Sequence, residues 1–358
     1  MRKHSWHRLA FNLHLLVSLA FGLFISVIAV TGGIIGFEPE FDQLLHRDIS
    51  FVKPGQRFLT LEQLQQAVAV AYPEEPVIAI LPALADNLAW QVALPSGIAY
   101  LNPYTGQGLG IRTRGESFLG KIRSVHVGLT GGPLGGPLVK WSTLAALPLL
   151  ITGVFLWWPR KRFGLRGSIF HRSFWLDLHN SLGIGAGLFL LVLASTGAVM
   201  AFSDALRPYL YRISGVSAMK DPTYVAKLGG PYQITPDKAL EIARAAAPRA
   251  TPYRIQLPAF GGTYVVDLVD RSDRVLGERH SVVLDPNSGV ILLQRNPKDV
   301  NPVDRWMVVL AKVHTGTLVG TSGKALFCVA SMLTVVVFGS GILMMWFRSL
   351  KHKQPLLR

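Results

Sequence analysis

Residues 13–33 read LHLLVSLAFGLFISVIAVTGG, and this run settles what kind of protein follows. It opens on Leu13-His14, contains no Asp, Glu, Lys or Arg, and reaches Thr31-Gly32 seventeen positions after the histidine. A helix rises about 1.5 Å per residue, so a run of this length crosses roughly 30 Å of hydrocarbon. The same device returns at 178–198, LHNSLGIGAGLFLLVLASTGA, where Leu178-His179 leads to Thr196-Gly197 over the same seventeen positions. A second interval is also used twice. His126-Val-Gly precedes Thr152-Gly153 by 26 residues, and His314-Thr-Gly precedes Ser340-Gly341 by 26. Trp158-Pro159-Arg160 then corresponds to Trp346-Phe347-Arg348. Two spacings, each recurring once, mark a tandem duplication.

The rest of the chain supports a membrane protein. Half of the 358 residues are hydrophobic and only 16% are charged, against about a quarter in a soluble chain. Four stretches are free of formal charge: Leu15–Phe37, Trp141–Trp158, Asn180–Ser203 and Ala325–Phe347. The first runs through Thr31-Gly32-Gly33 into Phe37-Glu38-Pro39 without a small-x-small cleavage site, so it reads as a retained helix and not a signal peptide. Basic residues flank the spans unevenly. The N-terminus (Arg2, Lys3, Arg8), the middle loop (Arg160, Lys161, Arg162, Arg166, Arg172) and the C-terminus (Arg348, Lys351, Lys353, Arg358) hold twelve Lys/Arg and one acid, Asp177. The positive-inside rule puts both termini and that loop in the cytoplasm. The expected division is therefore a cytoplasmic tail at 1–14, spans at 15–37, 138–158, 180–203 and 325–347, a cytoplasmic loop at 159–179 and a tail at 348–358. The long segments 38–137 and 204–324 lie outside. Each copy contributes two spans, so the copies face the same way about a pseudo-two-fold axis along the membrane normal. The net charge of +15 is largely topological and gives no reason to expect nucleic acid.

The outer segments repeat too. Thr60 and Thr235 each cap an amphipathic helix, the second with Pro236 in its first turn. Strand-like runs follow at Val77–Leu81 and Leu88–Leu94, and at Tyr253–Leu257, Tyr264–Leu268 and Ser281–Leu284. Asn102-Pro-Tyr-Thr-Gly106 and Asp285-Pro-Asn-Ser-Gly289 are turn signatures between strands. Each copy should thus carry one helix packed on a small antiparallel sheet, at about 55–112 and about 232–296. The single cysteine, Cys328, rules out an internal disulfide and a CxxCH haem attachment. Gly131–Pro137 lacks the Gly-Lys-Ser/Thr of a phosphate loop, and no GxGxxG, GxSxG or HExxH is present.

With these residues in view, the helix, strands and Asp-Pro-x-x-Gly turn resemble a PepSY domain. The Leu-His…Thr-Gly and Thr-Gly…Trp-Trp-Pro-Arg patterns resemble the PepSY-associated transmembrane family of iron-regulated inner-membrane proteins, and the resemblance covers nearly the whole chain. It implies an α-helical membrane protein with four transmembrane helices, two tandem two-helix units and two small α+β PepSY-like external domains, seated in a bacterial inner membrane. Some members of that family are haem-containing reductases of ferric siderophores. That activity is what the resemblance implies.

Four of the ten histidines occupy repeat-equivalent positions at the ends of spans: His14 with His179, and His126 with His314. Ionisable groups at such places are expensive in lipid and are usually functional. Seventeen residues separate the two levels, about 25 Å of helix, so one small cofactor cannot touch both. A b-type haem needs axial ligands and an apolar slot. The pseudo-two-fold axis would bring each pair to one iron, giving two haems with four axial histidines, and Gly22, Gly128, Gly183, Gly185, Gly187 and Gly316 would admit the flat macrocycle. His7 and His171 are near-equivalent alternates. A lone histidine at a helix end is more often an interfacial residue or a cap; the double recurrence is what sets these four apart. His4, His46, His280 and His352 lack partners and read as solvated. Trp157, Trp158 and Trp346 fit an aromatic belt. Arg160, Lys161 and Arg162 set topology first and are secondary candidates for haem propionates.

The leading expectation is therefore an electron-transfer protein. It would take electrons from a quinol or a cytoplasmic reductase and reduce a ferric siderophore, a hydroxamate for example, outside the membrane. Two alternatives stand beside it: a non-enzymatic PepSY-type binding or regulatory protein, and a siderophore permease, for which four charge-free spans offer little polar lining.

Overall fold

The computed structural model describes residues 2–83, 85–113, 117–129, 131–159, 161–217, 232–258, 262–270 and 278–352. Arg160, Lys353 and Arg358, which figured in the charge argument, lie outside them. Contacts divide the chain into two compact units. One comprises Met1–Glu38, Phe118–Leu210 and Met307–Arg358, and the other Pro39–Ser117 and Tyr211–Trp306.

In chain order the helices are α1 (Arg2–Ile35), α2 (Glu38–Leu45), α3 (Arg47–Ser50), α4 (Leu61–Ala71), α5 (Phe118–Gly128), α6 (Gly135–Trp157), α7 (Arg172–Ala201), α8 (Ser203–Ser214), α9 (Pro236–Ala246), α10 (Pro302–His314) and α11 (Gly320–His352). Among the described residues four helical segments are long and apolar enough to cross a membrane: Ser5–Ile35, Gly135–Trp157, Arg172–Ala201 and Thr317–Leu350. They form the first unit. α1 packs along α6 and α11, and α7 packs along the same two, so α1 and α7 stand diagonally. The bundle is inverted relative to a soluble one. Leu16, Leu23, Leu188 and Val329 point outward, while Ser26, Ser142, Ala146, Ala194, Ala198, Ala330 and Ser331 are buried. Small residues let backbones approach, the usual solution where lipid is as apolar as the side chains. The hydroxyl of Ser26 satisfies itself on the Gly22 carbonyl at 2.8 Å, and that of Thr334 on Ser331 at 2.6 Å.

The helices overrun the charge-free cores. α1 continues back through the expected tail at 1–14, and α7 begins at Arg172, inside the expected loop at 159–179. His14 and His179 therefore lie within helices. Two further helices, α5 and α10, were not foreseen; they carry His126 and His314 ahead of the second and fourth spans.

The second unit corrects the expectation of two separate small sheets. Its strands are β1 (Ala79–Leu81), β2 (Trp90–Ala93), β3 (Gly97–Leu101), β4 (Gly108–Thr113), β5 (Thr251–Gln256), β6 (Tyr264–Asp270), β7 (Glu278–Leu284) and β8 (Ile291–Arg295). They make one antiparallel sheet in the order β4-β3-β2-β1-β5-β6-β7-β8. The seam is β1 against β5, with Ile80 opposite Ile255 and the Leu257 amide donating to the Ile78 carbonyl at 2.9 Å. Fusing the copies removes two sheet edges that would otherwise be open to adventitious pairing. One core then serves both repeats: Leu61, Val68, Ile80, Val92 and Leu101 from the first copy join Ala243, Ile255, Val266, Leu268 and Leu284 from the second.

Helices α4 and α9 pack on each other. Thr60 caps α4 through a capping box with Gln63, and Thr235 caps α9. A further contact joins them: both carboxylate oxygens of Asp237 accept from the α4 backbone, at 2.9 Å from the Leu61 amide and 2.9 Å from that of Glu62. Glu62 is the repeat equivalent of Asp237, but the equivalent first-turn position in α9 is Pro236, which has no N–H to offer. The clamp is therefore one-sided. The expected turns are present, with Asn102 accepting from the Tyr104 amide at 2.9 Å, Asp285 from that of Asn287 at 2.7 Å, and Gly106 and Gly289 at φ +75 and +72.

Candidate functional site

All four repeat-equivalent histidines fall in the bundle unit, and the fold assembles them as the repeat suggests. The His14 and His179 rings have centroids 6.2 Å apart with planes at 82°. The His126 and His314 rings are 6.5 Å apart at 44°. The pairs sit at two depths, because α1 carries His14 near one end and contacts His126 through Thr31 near the other.

The surroundings of each ring follow one rule. His14 Nδ1 is 3.0 Å from the Thr152 hydroxyl, with the Leu149 carbonyl close by. His179 Nδ1 is 2.9 Å from the Val337 carbonyl and 3.2 Å from the Ser340 hydroxyl. His126 Nδ1 is 2.8 Å from the Ile28 carbonyl and 3.4 Å from the Thr31 hydroxyl. His314 Nδ1 is 2.9 Å from the Thr196 hydroxyl, with the Leu193 carbonyl close by. Each cradle is thus a carbonyl, a Thr or Ser three residues later, and then a glycine. A Cβ on that glycine would lie 2.7 Å from the His126 ring at Gly32, 3.1 Å from His314 at Gly197, 3.5 Å from His14 at Gly153 and 3.7 Å from His179 at Gly341. The glycine lets the imidazole lie against the helix.

The hydroxyls favour one tautomer. Each has a single proton, and each donates it to its own helix: Thr152 to Pro148 at 2.6 Å, Thr31 to Val27 at 2.7 Å, Thr196 to Val192 at 2.6 Å and Ser340 to Val337 at 2.7 Å. Facing Nδ1, a hydroxyl so engaged can only accept, as can a carbonyl. This network favours Nδ1 as the protonated nitrogen and leaves Nε2 its lone pair, the form in which imidazole ligates a metal. Among the described residues no hydrogen bond engages any of the four Nε2 atoms. Burial pushes His126 below the ordinary imidazole range. Burial first, and His126 second, push His314 down to about 4, so this pair is neutral at physiological pH.

Two donors suit a particular kind of metal centre. A zinc held by side chains takes three or four of them as ligands, yet among the described residues no cluster of three or more His, Cys, Asp or Glu is present, and Cys328 stands apart. Two imidazole donors would suit an iron whose remaining positions a macrocycle fills. With metal–nitrogen bonds of about 2 Å, such a pair holds its ring centroids roughly 6 Å apart. The observed separations fit. His14, His179, His126 and His314 are therefore the residues that could hold haem.

Other expected residues fare differently. His7 is exposed and packs on Phe155, and His171 is exposed and bonds Ser168 at 3.0 Å, so the structure gives neither a place in a pair. The glycines expected to admit a macrocycle divide. Gly22 is where the Phe338 ring packs, at 2.5 Å from an added Cβ, and Gly316 is a turn residue at φ +72. Gly128, Gly185 and Gly187 do border open space, the Gly128 carbonyl also receiving the close approach of Gly135, and an added Cβ at Gly183 would meet only Val337, at 4.0 Å. Lys161 lies over the Trp158 ring at 4.2 Å, and Arg166 pairs with the buried Asp177 through two 2.8 Å bonds, tying the loop to α7. The residues missed from sequence are Thr31, Thr152, Thr196 and Ser340. Their signal was in plain sight as the Thr/Ser-Gly landmarks of the repeat, read there for alignment and not for contact.

No curated protein matches the chain in sequence. The family model described as the PepSY-associated TM region matches residues 11–348, a span that takes in all four helices and all four paired histidines, and the chain belongs to that family of membrane proteins.

Proposed function

We propose that this protein is a di-haem b electron-transfer protein that reduces ferric siderophores on the outer side of a bacterial inner membrane. The observation that supports it most is the pair of two-donor sites, each with Nδ1 engaged and Nε2 free. His14 and His179 would hold one haem and His126 and His314 the other. Bound there, the two groups would supply one-electron chemistry at two depths of the bilayer.

The chain's own contribution is placement. α1 and α7 each run from one pair to the cradle of the other, which fixes the two levels about 25 Å apart along each helix. Basic residues at the His14/His179 end favour the cytoplasmic side, where a quinol or a reductase is the donor. A ferric hydroxamate is the substrate at the other face. Reduction to the ferrous ion weakens its hold on hard oxygen donors, and the metal is released. The assignment is tested by the absorption spectrum of detergent-purified protein from haem-replete cells, before and after dithionite. A low-spin b-type spectrum that sharpens on reduction is expected; a colourless protein overturns the reading.

A further inference from the structure

The cradles do more than choose a tautomer. Each ring is held at Nδ1 by acceptors that belong to a neighbouring helix, with a glycine beneath its face, so its rotation about the Nε2 direction is restricted. The two pairs are held at different angles, 82° for His14/His179 and 44° for His126/His314.

We propose that Thr31, Thr152, Thr196 and Ser340 are positioning residues that lock the four imidazole planes, making the two iron sites electronically inequivalent and setting the reduction potential of each. This rests on the haem reading above and deepens it.

The physical argument concerns the d orbitals of low-spin ferric iron. Imidazole donates π density perpendicular to its own plane. Parallel planes act on one of the two iron π orbitals and split them; crossed planes act on both and leave them nearly degenerate. The His14/His179 site should therefore give a strongly anisotropic electron paramagnetic resonance signal, and the His126/His314 site a more rhombic one. By accepting from Nδ1–H, the hydroxyl draws the proton away from the ring, which makes the ligand more basic and favours the ferric state. Thr152, whose hydroxyl is 3.0 Å from His14, is placed to exert both effects on the first site.

The test uses the full-length haem-loaded protein, with Thr152→Val removing the hydroxyl at nearly constant shape and Thr152→Ser restoring it. In wild type, two distinct low-spin signals are expected, the more anisotropic one disappearing in His14→Ala and the other in His314→Ala. Thr152→Val should alter the anisotropic signal and raise the midpoint potential of that site alone, or release its haem. Thr152→Ser should return both signal and potential towards wild type. Indistinguishable signals in a loaded wild-type protein overturn the proposal. So does a Thr152→Val protein with wild-type signals and potentials, or a Thr152→Ser protein that behaves like Thr152→Val. A wild-type protein without haem overturns the functional reading and this proposal together, so the two failures are distinguishable.

Discussion

His14 and Thr152 lie 138 positions apart, yet the Nδ1 of one is 3.0 Å from the hydroxyl of the other, and the same bond recurs at 2.9 Å between His314 and Thr196. The histidine of one helix is always steered by a threonine or serine of another. The orientation of the four rings is therefore a property of how the spans pack. Removing either histidine of a pair should cost what removing both costs, because one axial ligand alone leaves the iron half-held. His14→Ala, His179→Ala and the double variant are expected to lose the same haem, about half of the total. Additive losses, measured as haem per chain in the three purified variants, would argue that the two residues act separately.

Direction of flow gives a second prediction. Dithionite-reduced protein mixed with a ferric hydroxamate should reoxidise and yield ferrous iron, trapped by a chromophoric chelator. His314→Ala should abolish this transfer. His14→Ala should retain it from dithionite but lose turnover driven from the cytoplasmic side. A His314→Ala protein that reduces the chelate at the wild-type rate rules out the route, whatever its haem content.

The one-sided clamp in the sheet unit predicts an asymmetry in stability. Asp237→Ala removes the acceptor for two first-turn amides of α4 and should destabilise that helix by roughly 1–2 kcal/mol, the range of a lost N-cap. Amide exchange over Leu61–Ala71 should speed up accordingly. Glu62→Ala should leave exchange in α9 as it was, since Pro236 gives Glu62 no equivalent bond. Equal acceleration in both helices would contradict the clamp.

Orientation is open to a direct measurement. Reporter fusions at Lys161 and at the C-terminus should behave as cytoplasmic, and fusions at Gly106 and Gly289 as external. A cytoplasmic readout at Gly106 would reverse the arrangement on which the outside reduction of substrate depends.

Much of this was legible in the sequence, for identifiable reasons. Charge-free runs of about 20 residues have few homes other than a bilayer, so the four spans could be placed, although α1 starts at Arg2, well before its charge-free core. The overrun at those ends reflects helix continuing through the interface, where Arg8 and Arg172 remain solvated and carry no local stop signal. The histidine pairing was legible because duplication preserved two intervals. The cradles were not, since the seventeen residues from His14 to Thr31 read as one motif although helical rise separates them by about 25 Å along α1. The bonds run instead to Thr152 and from His126. The fused sheet was equally hidden. Ile80 and Ile255 look like buried strand residues whether their strands end a small sheet or join two, and pairing across 175 positions leaves no local trace.

The central claim is that each chain binds two haems through His14/His179 and His126/His314. The ratio of haem b to protein, from the pyridine haemochrome absorbance of protein purified from haem-replete cells, tests it most directly. The account predicts about two haems per chain in wild type and about one in His14→Ala or His314→Ala. A wild-type ratio near zero, or a ratio left unchanged by both substitutions, would contradict it.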